Sequence, residues 1–379
     1  MDQLIIYDTS NYEDFPIGGQ LTSIRNFLKF LSEKEPRFLE HVLLVGVTTV
    51  EGRLGVKQQV VIGEHPISFL PVVYRSSELS QVKSSLRIEF LKGLIKYNAS
   101  IPKSGDTVHF IHSPEAFIAL DLLRGKDKKA VFSHGSFFNM VQGFRFFNGN
   151  RVVGILFDQF IKVLLKRADL LFALDQDSID QYQKYNKNVY LVDNSIVLPE
   201  RVAVKDKHVP LRLLFLGRLS KVKQIDKIIK ATALAPFEVR LTIVGDGELK
   251  EELKACARDE GAASKVFFVG AVVPDKVRAY LEECDVLVMN SVVEGKPMTM
   301  IEAMGYGLPI VTTAVGGILD LLGDCHCAEI TDGTEESIVN ALTKIRENYE
   351  QHSLESLRRS RKYDYRTVNH GIYDRLKDL

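Results

Sequence analysis

Two rhythms of apolar and polar residues alternate along this chain. Short apolar runs at 4–7, 41–47, 108–111, 129–133, 169–174 and 189–192 have the composition of buried strands. Residues 60–62 and 67–70 read as strand pieces of an elaborated edge. Between the runs the period changes. Leu21, Ile24, Phe27, Leu28 and Leu31 recur at helical spacing, and 82–97 is amphipathic and basic. The pattern restarts in the second half, with strands predicted at 212–216, 239–244, 266–269, 286–289 and 310–313. Helices are predicted from 225 onward, where Ile225, Ile228 and Ile229 share a face, and at 249–259, 276–283, 337–349 and 367–379. Strand, turn and helix in alternation predict an α/β protein built on parallel sheets. The polar, charged stretch 200–208 reads as a linker between two such domains.

The best-marked unit is Ser291–Thr313, SVVEGKPMTMIEAMGYGLPIVTT. An apolar strand precedes it, and Ile310–Thr313 is the next strand. Pro297 suits the first position of a short helix, where its missing N–H has no partner, and Gly307 suits the residue past the helix end. Glu294 then stands in the loop and Glu302 lies about 7.5 Å along the helix axis. Such carboxylates are too far apart for an acid/base pair but can grip two parts of one elongated ligand. The unpaired N–H groups of Gly295, Lys296, Met298 and Thr299 offer an anion or a hydroxyl the positive end of the helix. An ordinary βαβ unit with acids in its loop explains the spacing equally well.

Length and composition narrow the class. A chain of 379 residues fits two domains. Lys and Arg number 49, as do Asp and Glu, which excludes a general nucleic-acid binder. No apolar run reaches membrane-spanning length, and the strand-like start lacks the features of a signal peptide. Four cysteines in a chain of this size point to a reducing compartment. Cys256 and Cys284 read as core. Cys325-His326-Cys327 lacks the second ligand pair that a zinc site needs.

Several strand ends carry candidate chemistry. Gly18 and Gly19 stand between the first strand and its helix, where a phosphate or a plain tight turn would fit. His134 ends a strand and precedes Gly135, a position that faces a ligand crevice in parallel sheets, although a lone histidine is more often structural. Arg218 and Lys223 flank another strand-to-helix turn, which is either a nest suited to a diphosphate or a loop whose basic residues are simply solvated. Asp175-Gln176-Asp177 could hold a divalent ion, or Asp175 could cap a helix from Ser178. Between Lys83 and Arg167 fourteen basic residues stand against six acidic ones, a local net of +8, and 137–151 adds aromatics. That stretch is either a solvated basic face or a surface for anionic lipid or a pyrophosphate-linked acceptor.

The phrase E-G-K-P-x-x-x-x-E-A-M-x-x-G-x-P-I-V resembles the E-x7-E signature of retaining GT-B glycosyltransferases of the family 4 type. Gly217-Arg218-Leu219-Ser220-Lys221-Val222-Lys223-Gln224 is similar to the family's G-R-L-x-x-x-K-G, with Gln224 in place of the last glycine. The resemblance implies a GT-B fold, two Rossmann-like domains facing a central cleft, with the C-terminal helix crossing back to the N-terminal domain. Residues 1–200, with 360–379 packed on them, would bind the acceptor, and 201–359 would bind a nucleotide-sugar donor. Arg218 and Lys223 would hold the donor diphosphate, Glu294 the donor sugar and Glu302 the ribose hydroxyls. His134 would lie near the sugar, Gly18 and Gly19 between acceptor and donor phosphate, and Val272 over the base.

The reaction implied is transfer of a hexose-type sugar, with retention, from a UDP-sugar or GDP-mannose to a saccharide or lipid-linked acceptor. It would need no cofactor and no metal, and it would take place in the cytoplasm or on the inner face of the membrane. No nucleophile for a covalent intermediate stands out, so the family's same-face attack is the expectation. Asn194 fits the family's N-G-V/I-D motif but Ser195 and Val197 depart from it. Two other readings share the architecture: a nucleotide-sugar 2-epimerase, and a non-catalytic partner subunit.

Overall fold

A computed structural model describes the chain except for residues 13–18, 63–64, 76–85, 103–105, 138–150, 201–203 and 205, and the side chains of 19, 62, 151–154 and 274–275. Gly18 and most of the aromatic stretch after Phe137 therefore lie outside the described residues. The chain forms two compact units, Met1–Asp193 with Arg366–Leu379, and Asn194–Tyr365. The division falls seven residues before the expected linker and six after the expected return. The reason is backbone pairing. Ile196 N–H donates to the Tyr363 carbonyl at 2.8 Å, and Tyr365 N–H donates to the Ile196 carbonyl at 2.8 Å, which fastens both connecting segments to the second unit.

The first unit is an eight-stranded sheet in the order β3-β4-β2-β1-β5-β6-β7-β8. Its strands are β1 (Gln3–Asn11), β2 (Val42–Thr48), β3 (Gln58–Ile62), β4 (His65–Tyr74), β5 (Thr107–Ile111), β6 (Lys128–Ser133), β7 (Leu170–Ala173) and β8 (Val189–Leu191). All neighbours pair in parallel except β3 and β4. Order reverses beside β1, whose neighbours are β2 and β5. One face carries α2 (Leu86–Lys96), α3 (Glu115–Leu123), α4 (Arg151–Arg167) and α5 (Gln176–Tyr182). Phe90, Leu94, Phe117, Leu120, Leu164, Leu165 and Tyr182 from these helices are buried in one core with Ile5, Tyr7, Val45 and Val131. On the opposite face Phe27 of α1 (Gly19–Lys34) meets Phe110 edge-on. The C-terminal helix packs on α1: Arg366 pairs with Glu33 at 2.9 Å, and Tyr373 donates to Glu35 at 2.7 Å.

The second unit is a six-stranded sheet in the order β11-β10-β9-β12-β13-β14. The strands are β9 (Leu211–Leu216), β10 (Val239–Val244), β11 (Val266–Gly270), β12 (Val286–Val288), β13 (Ile310–Thr313) and β14 (Ala328–Thr331). Every pairing is parallel. Successive strand residues serve opposite cores, as the pleat requires. Leu213 packs with α6 (Ile225–Leu234), α7 (Lys250–Asp259) and α11 (Glu335–Glu347), whereas Leu214 packs with α8 (Pro274–Glu283), α9 (Met298–Gly305) and α10 (Ile318–Leu322). Helices α12 (Tyr349–Ser360) and α13 (Tyr365–Lys377) follow. Order reverses at β9, which places the loops after β9 and β12 side by side at the carboxyl edge, where parallel sheets bind ligands.

Candidate donor and acceptor sites

In the second unit the two predicted loops meet. Val292 N–H donates to the Val222 carbonyl at 2.9 Å, joining the loop after β12 to the loop after β9. Across this seam Lys223 Nζ donates to Glu294 Oε1 in a short contact, and Ser291 Oγ donates to the same oxygen at 2.6 Å. Oε2 of Glu294 meets no partner among the described residues. Arg218 is exposed, and no carboxylate pairs with it among the described residues. Asn194, which fitted a family motif without an assigned role, donates to the Lys296 carbonyl at 3.0 Å and pins the loop ahead of α9.

Helix α9 begins one residue later than expected. Pro297 is its N-cap, in extended conformation, and no side chain caps the end. Pro cannot donate in either place, and its fixed φ serves the cap as well as the first turn. Met298 and Thr299 thus open the helix, with Gly295 and Lys296 in the approach. Glu302 on α9 is half-buried, with no hydrogen bond or ion pair to its carboxylate among the described residues. Burial pushes its pKa up to about 7.

Two glycines fix the loop geometry. A Cβ on Gly316 would overlap the Glu294 carbonyl oxygen, and its φ of 55° is left-handed. A Cβ on Gly245 would overlap the Gly217 carbonyl. The loops after β9, β10, β12 and β13 thus stack backbone on backbone. Gln224, the departure from the family's glycine, adopts φ 44° and ψ 48°, the conformation glycine serves best. Val272 follows β11 and rests half-buried against the core below α9.

The first unit holds a polar cluster at its own point of strand reversal, between β1 and β5. Asp8 is 1% exposed. Its Oδ2 accepts a short hydrogen bond from Ser10, and its Oδ1 accepts another from Gln20 Nε2. Ser113 Oγ donates to Oδ1 at 2.9 Å. Gln20 also donates to the His112 carbonyl at 3.2 Å. His112 Nδ1 and His134 Nε2 are 2.7 Å apart, and His134 stacks on Phe132 with ring centroids 4.5 Å apart. Burial lowers the His134 pKa to about 3 and holds His112 well below its ordinary value, so both rings are neutral. Gly19 opens α1 beside this cluster. The sequence singled out His134 and missed Asp8, Gln20, His112 and Ser113. The one available signal was the His-Ser-Pro triplet closing β5, a second histidine at a parallel strand end.

Two cysteine and acid motifs resolve as structure. Asp175 caps α5, its Oδ1 accepting from Ser178 N–H at 2.7 Å and its Oδ2 from the Ser178 hydroxyl at 2.9 Å. Cys325 and Cys327 are joined as a disulfide, which the expectation of a reducing compartment did not foresee, while Cys284 is buried and Cys256 half-buried, both as free thiols.

Two Rossmann-like units, each with polar loops at its strand reversal, define the GT-B class of fold. Residues 200–366, nearly the whole of the second unit, match the family model described as glycosyl transferases group 1. An O-antigen biosynthesis glycosyltransferase of Escherichia coli, WbnH, is 26% identical over 57% of this chain and 62% of that protein. The N-acetylgalactosamine-N,N'-diacetylbacillosaminyl-diphospho-undecaprenol 4-alpha-N-acetylgalactosaminyltransferase of Campylobacter jejuni is 28% identical over 43% of this chain and 47% of its own length. The aligned stretches span 29% to 62% of the curated relatives' lengths. Among solved structures, Anabaena Alr3699/HepE in complex with UDP aligns over 100% of both chains with a TM-score of 0.70 at 16% identity.

Proposed function

We propose that the protein is a retaining glycosyltransferase of the family 4 type. It moves a hexose-type sugar from a nucleotide diphosphate donor, a UDP-sugar first among candidates, to a saccharide or lipid-linked acceptor in surface polysaccharide synthesis. The observation that carries this reading is the Lys223–Glu294–Ser291 cluster, set between exposed Arg218 and the start of α9, which no side chain among the described residues caps, at the strand reversal of the second unit. The names of the relatives, and the UDP bound by the Anabaena protein, support the donor class and the kind of product.

The chemistry follows from the charges. Negative charge grows on the leaving diphosphate as the glycosidic bond breaks. Arg218, Lys223 and the N–H groups of Gly295, Met298 and Thr299 are fixed donors for that charge. A diphosphate arriving beside Lys223 competes with Glu294 for its ammonium and frees the Glu294 carboxylate to accept from sugar hydroxyls. Glu302 accepts from the ribose diol, and the loop at Val272 covers the base. In the first unit neutral His112 and His134 can exchange hydrogen bonds with hydroxyls but cannot supply a cation. With no placed nucleophile proposed, the acceptor attacks on the face the diphosphate leaves, and the diphosphate takes its proton. No metal or cofactor takes part in this scheme.

We also place the enzyme at the inner membrane surface, in the cytoplasm. Several basic residues of 83–167 have partners within the unit: Arg87 pairs with Glu115 and Arg167 with Asp121, and Arg124 is held by main-chain carbonyls. Exposed Lys92, Lys96, Lys126 and Lys166 remain, beside exposed Ile88, Ile95, Leu122 and Val163. No helix among the described residues is long and apolar enough to cross a membrane. Flotation with anionic vesicles at low salt tests the surface; no binding sinks it.

The donor site is tested by thermal shift with UDP, GDP, ADP and their sugar conjugates in EDTA. A ligand at 100 times its Kd adds about 2.7 kcal/mol. A shift with one nucleotide names the base. No shift, with or without manganese, refutes the donor site and favours a partner subunit. Release of an epimerised free sugar without acceptor would instead identify a 2-epimerase.

A further inference from the structure

We propose that Asp8 is a positioning residue for His112 in the first unit, acting through Gln20 and Ser113, and that it fixes His112 as the tautomer with its proton on Nδ1 and a bare Nε2. The inference rests on the transferase reading only for its consequence in turnover.

Asp8 itself is saturated. Ser10, Gln20 and Ser113 all donate to its two oxygens, and it is almost fully buried. It is not placed to touch a ligand. Its partners, however, set the backbone that carries His112. The Gln20 carboxamide nitrogen bridges Asp8 and the His112 carbonyl. Ser113 Oγ donates to Asp8 and accepts from Thr9 N–H at 3.0 Å, so β1 and the end of β5 are laced together on both sides of His112. Main-chain bonds from His112 and Ser113 N–H to the Tyr7 carbonyl complete the lacing.

The ring is then defined by what its nitrogens meet. Nδ1 faces His134 Nε2 at 2.7 Å, and one proton lies between them. Nε2 of His112 is buried without a partner among the described residues, and the residue is 5% exposed. If His134 donated, the remaining proton of His112 would be a buried N–H with no acceptor, the costlier orphan. Donation from His112 Nδ1–H leaves only a lone pair unmatched. His134 then carries its own proton on Nδ1. The result is a buried acceptor nitrogen at the strand reversal of the first unit, suited to a hydroxyl donor. Its direction depends on a backbone that Asp8 holds.

The test uses the full chain with 15N-labelled histidine. Long-range proton–nitrogen spectra, assigned with single His→Gln variants at 112 and 134, report which nitrogen of each ring is protonated. Wild type should show Nδ1–H on both. Asp8→Asn keeps the shape but presents a donor to donors, and Gln20→Ala removes the bridge while leaving Asp8. Either should mix the tautomers and lower kcat at least tenfold. UDP affinity, read at the second unit, should stay within twofold. If Asp8→Asn fails to fold, Gln20→Ala decides. Wild-type spectra with His112 protonated on Nε2 overturn the proposal. So do unchanged tautomers with kcat within twofold in Gln20→Ala or a folded Asp8→Asn. A chain that binds no nucleotide and transfers no sugar refutes the transferase reading instead, and the spectra still decide this one.

Discussion

Replacing Glu302 with Gln should stabilise the protein above neutrality and damage nucleotide binding. The carboxyl is half-buried on α9 with no cation or hydrogen-bond donor to meet it among the described residues, and burial moves its pKa from 4.5 to about 7. Between these values the folded chain holds a proton that the unfolded chain has released. Stability therefore falls as pH rises from about 4.5, and the loss is complete once pH passes the folded value. At 1.36 kcal/mol per unit, that loss is about 3 kcal/mol. Gln has nearly the same volume and never ionises. Glu302→Gln should match wild type at pH 4.5 and exceed it by about 3 kcal/mol at pH 8.5. For a unit of this size the gain raises Tm by about 6–12 °C. Scanning calorimetry of both proteins at the two pH values, following the transition of the second unit, measures it. Titration with UDP should show the opposite sign, because the ionised carboxylate is the better acceptor for two ribose hydroxyls. Equal Tm values at pH 8.5 would refute the reasoning.

Four further substitutions probe other parts of the site. Arg218→Ala removes a fixed cation from the proposed diphosphate position and should lower turnover by ~10²–10³, measured as sugar transfer; near-normal activity would remove Arg218 from the site. Gly316→Ala forces a Cβ into the Glu294 carbonyl at a left-handed φ, and should cost more than about 2 kcal/mol in urea unfolding while weakening UDP binding. Gln224→Gly relieves a left-handed residue and should stabilise by about 0.5–1 kcal/mol; a loss of stability would show that the side chain's 3.4 Å contact with Asn290 matters more than the backbone. Asp175→Ala should cost about 1 kcal/mol as a lost helix cap, with turnover in EDTA unchanged, whereas a metal-dependent collapse would return Asp175 to the chemistry.

Most strands were legible because their residues are largely buried, and a continuous apolar run admits few other homes; β14, where only Thr331 is buried, was not read. The second-unit motif was legible because its constraints are local: a strand, a glycine-rich turn and a helix start occupy neighbouring positions. Helix α12 was not read. Its buried stripe is Tyr349, His352, Ser353, Ser356 and Ser360, so no apolar period marks it. Small hydroxyl residues let it approach closely, and Ser356 Oγ donates to the Leu308 carbonyl at 2.8 Å. Helix α3 was missed for the opposite reason, since Ala116, Phe117, Ala119 and Leu120 leave little polar contrast. The rest of the first-unit cluster was hidden because Asp8, Gln20 and Ser113 come from three separate segments and meet His112 and His134 only in the folded sheet.

The backbone-on-backbone stacking of the second-unit loops bears on how such a site can diverge. Gly245 and Gly316 admit no side chain, and Lys223, Ser291 and Glu294 hold one another. Drift at any of these disturbs a neighbour. The side chains of Val292 and Val293, residues 48% and 67% exposed on the same loop, carry no such obligation, although the Val292 N–H holds the loop seam. Inherited variation that alters ligand preference without unmaking the anion nest has its freest room at those two valines.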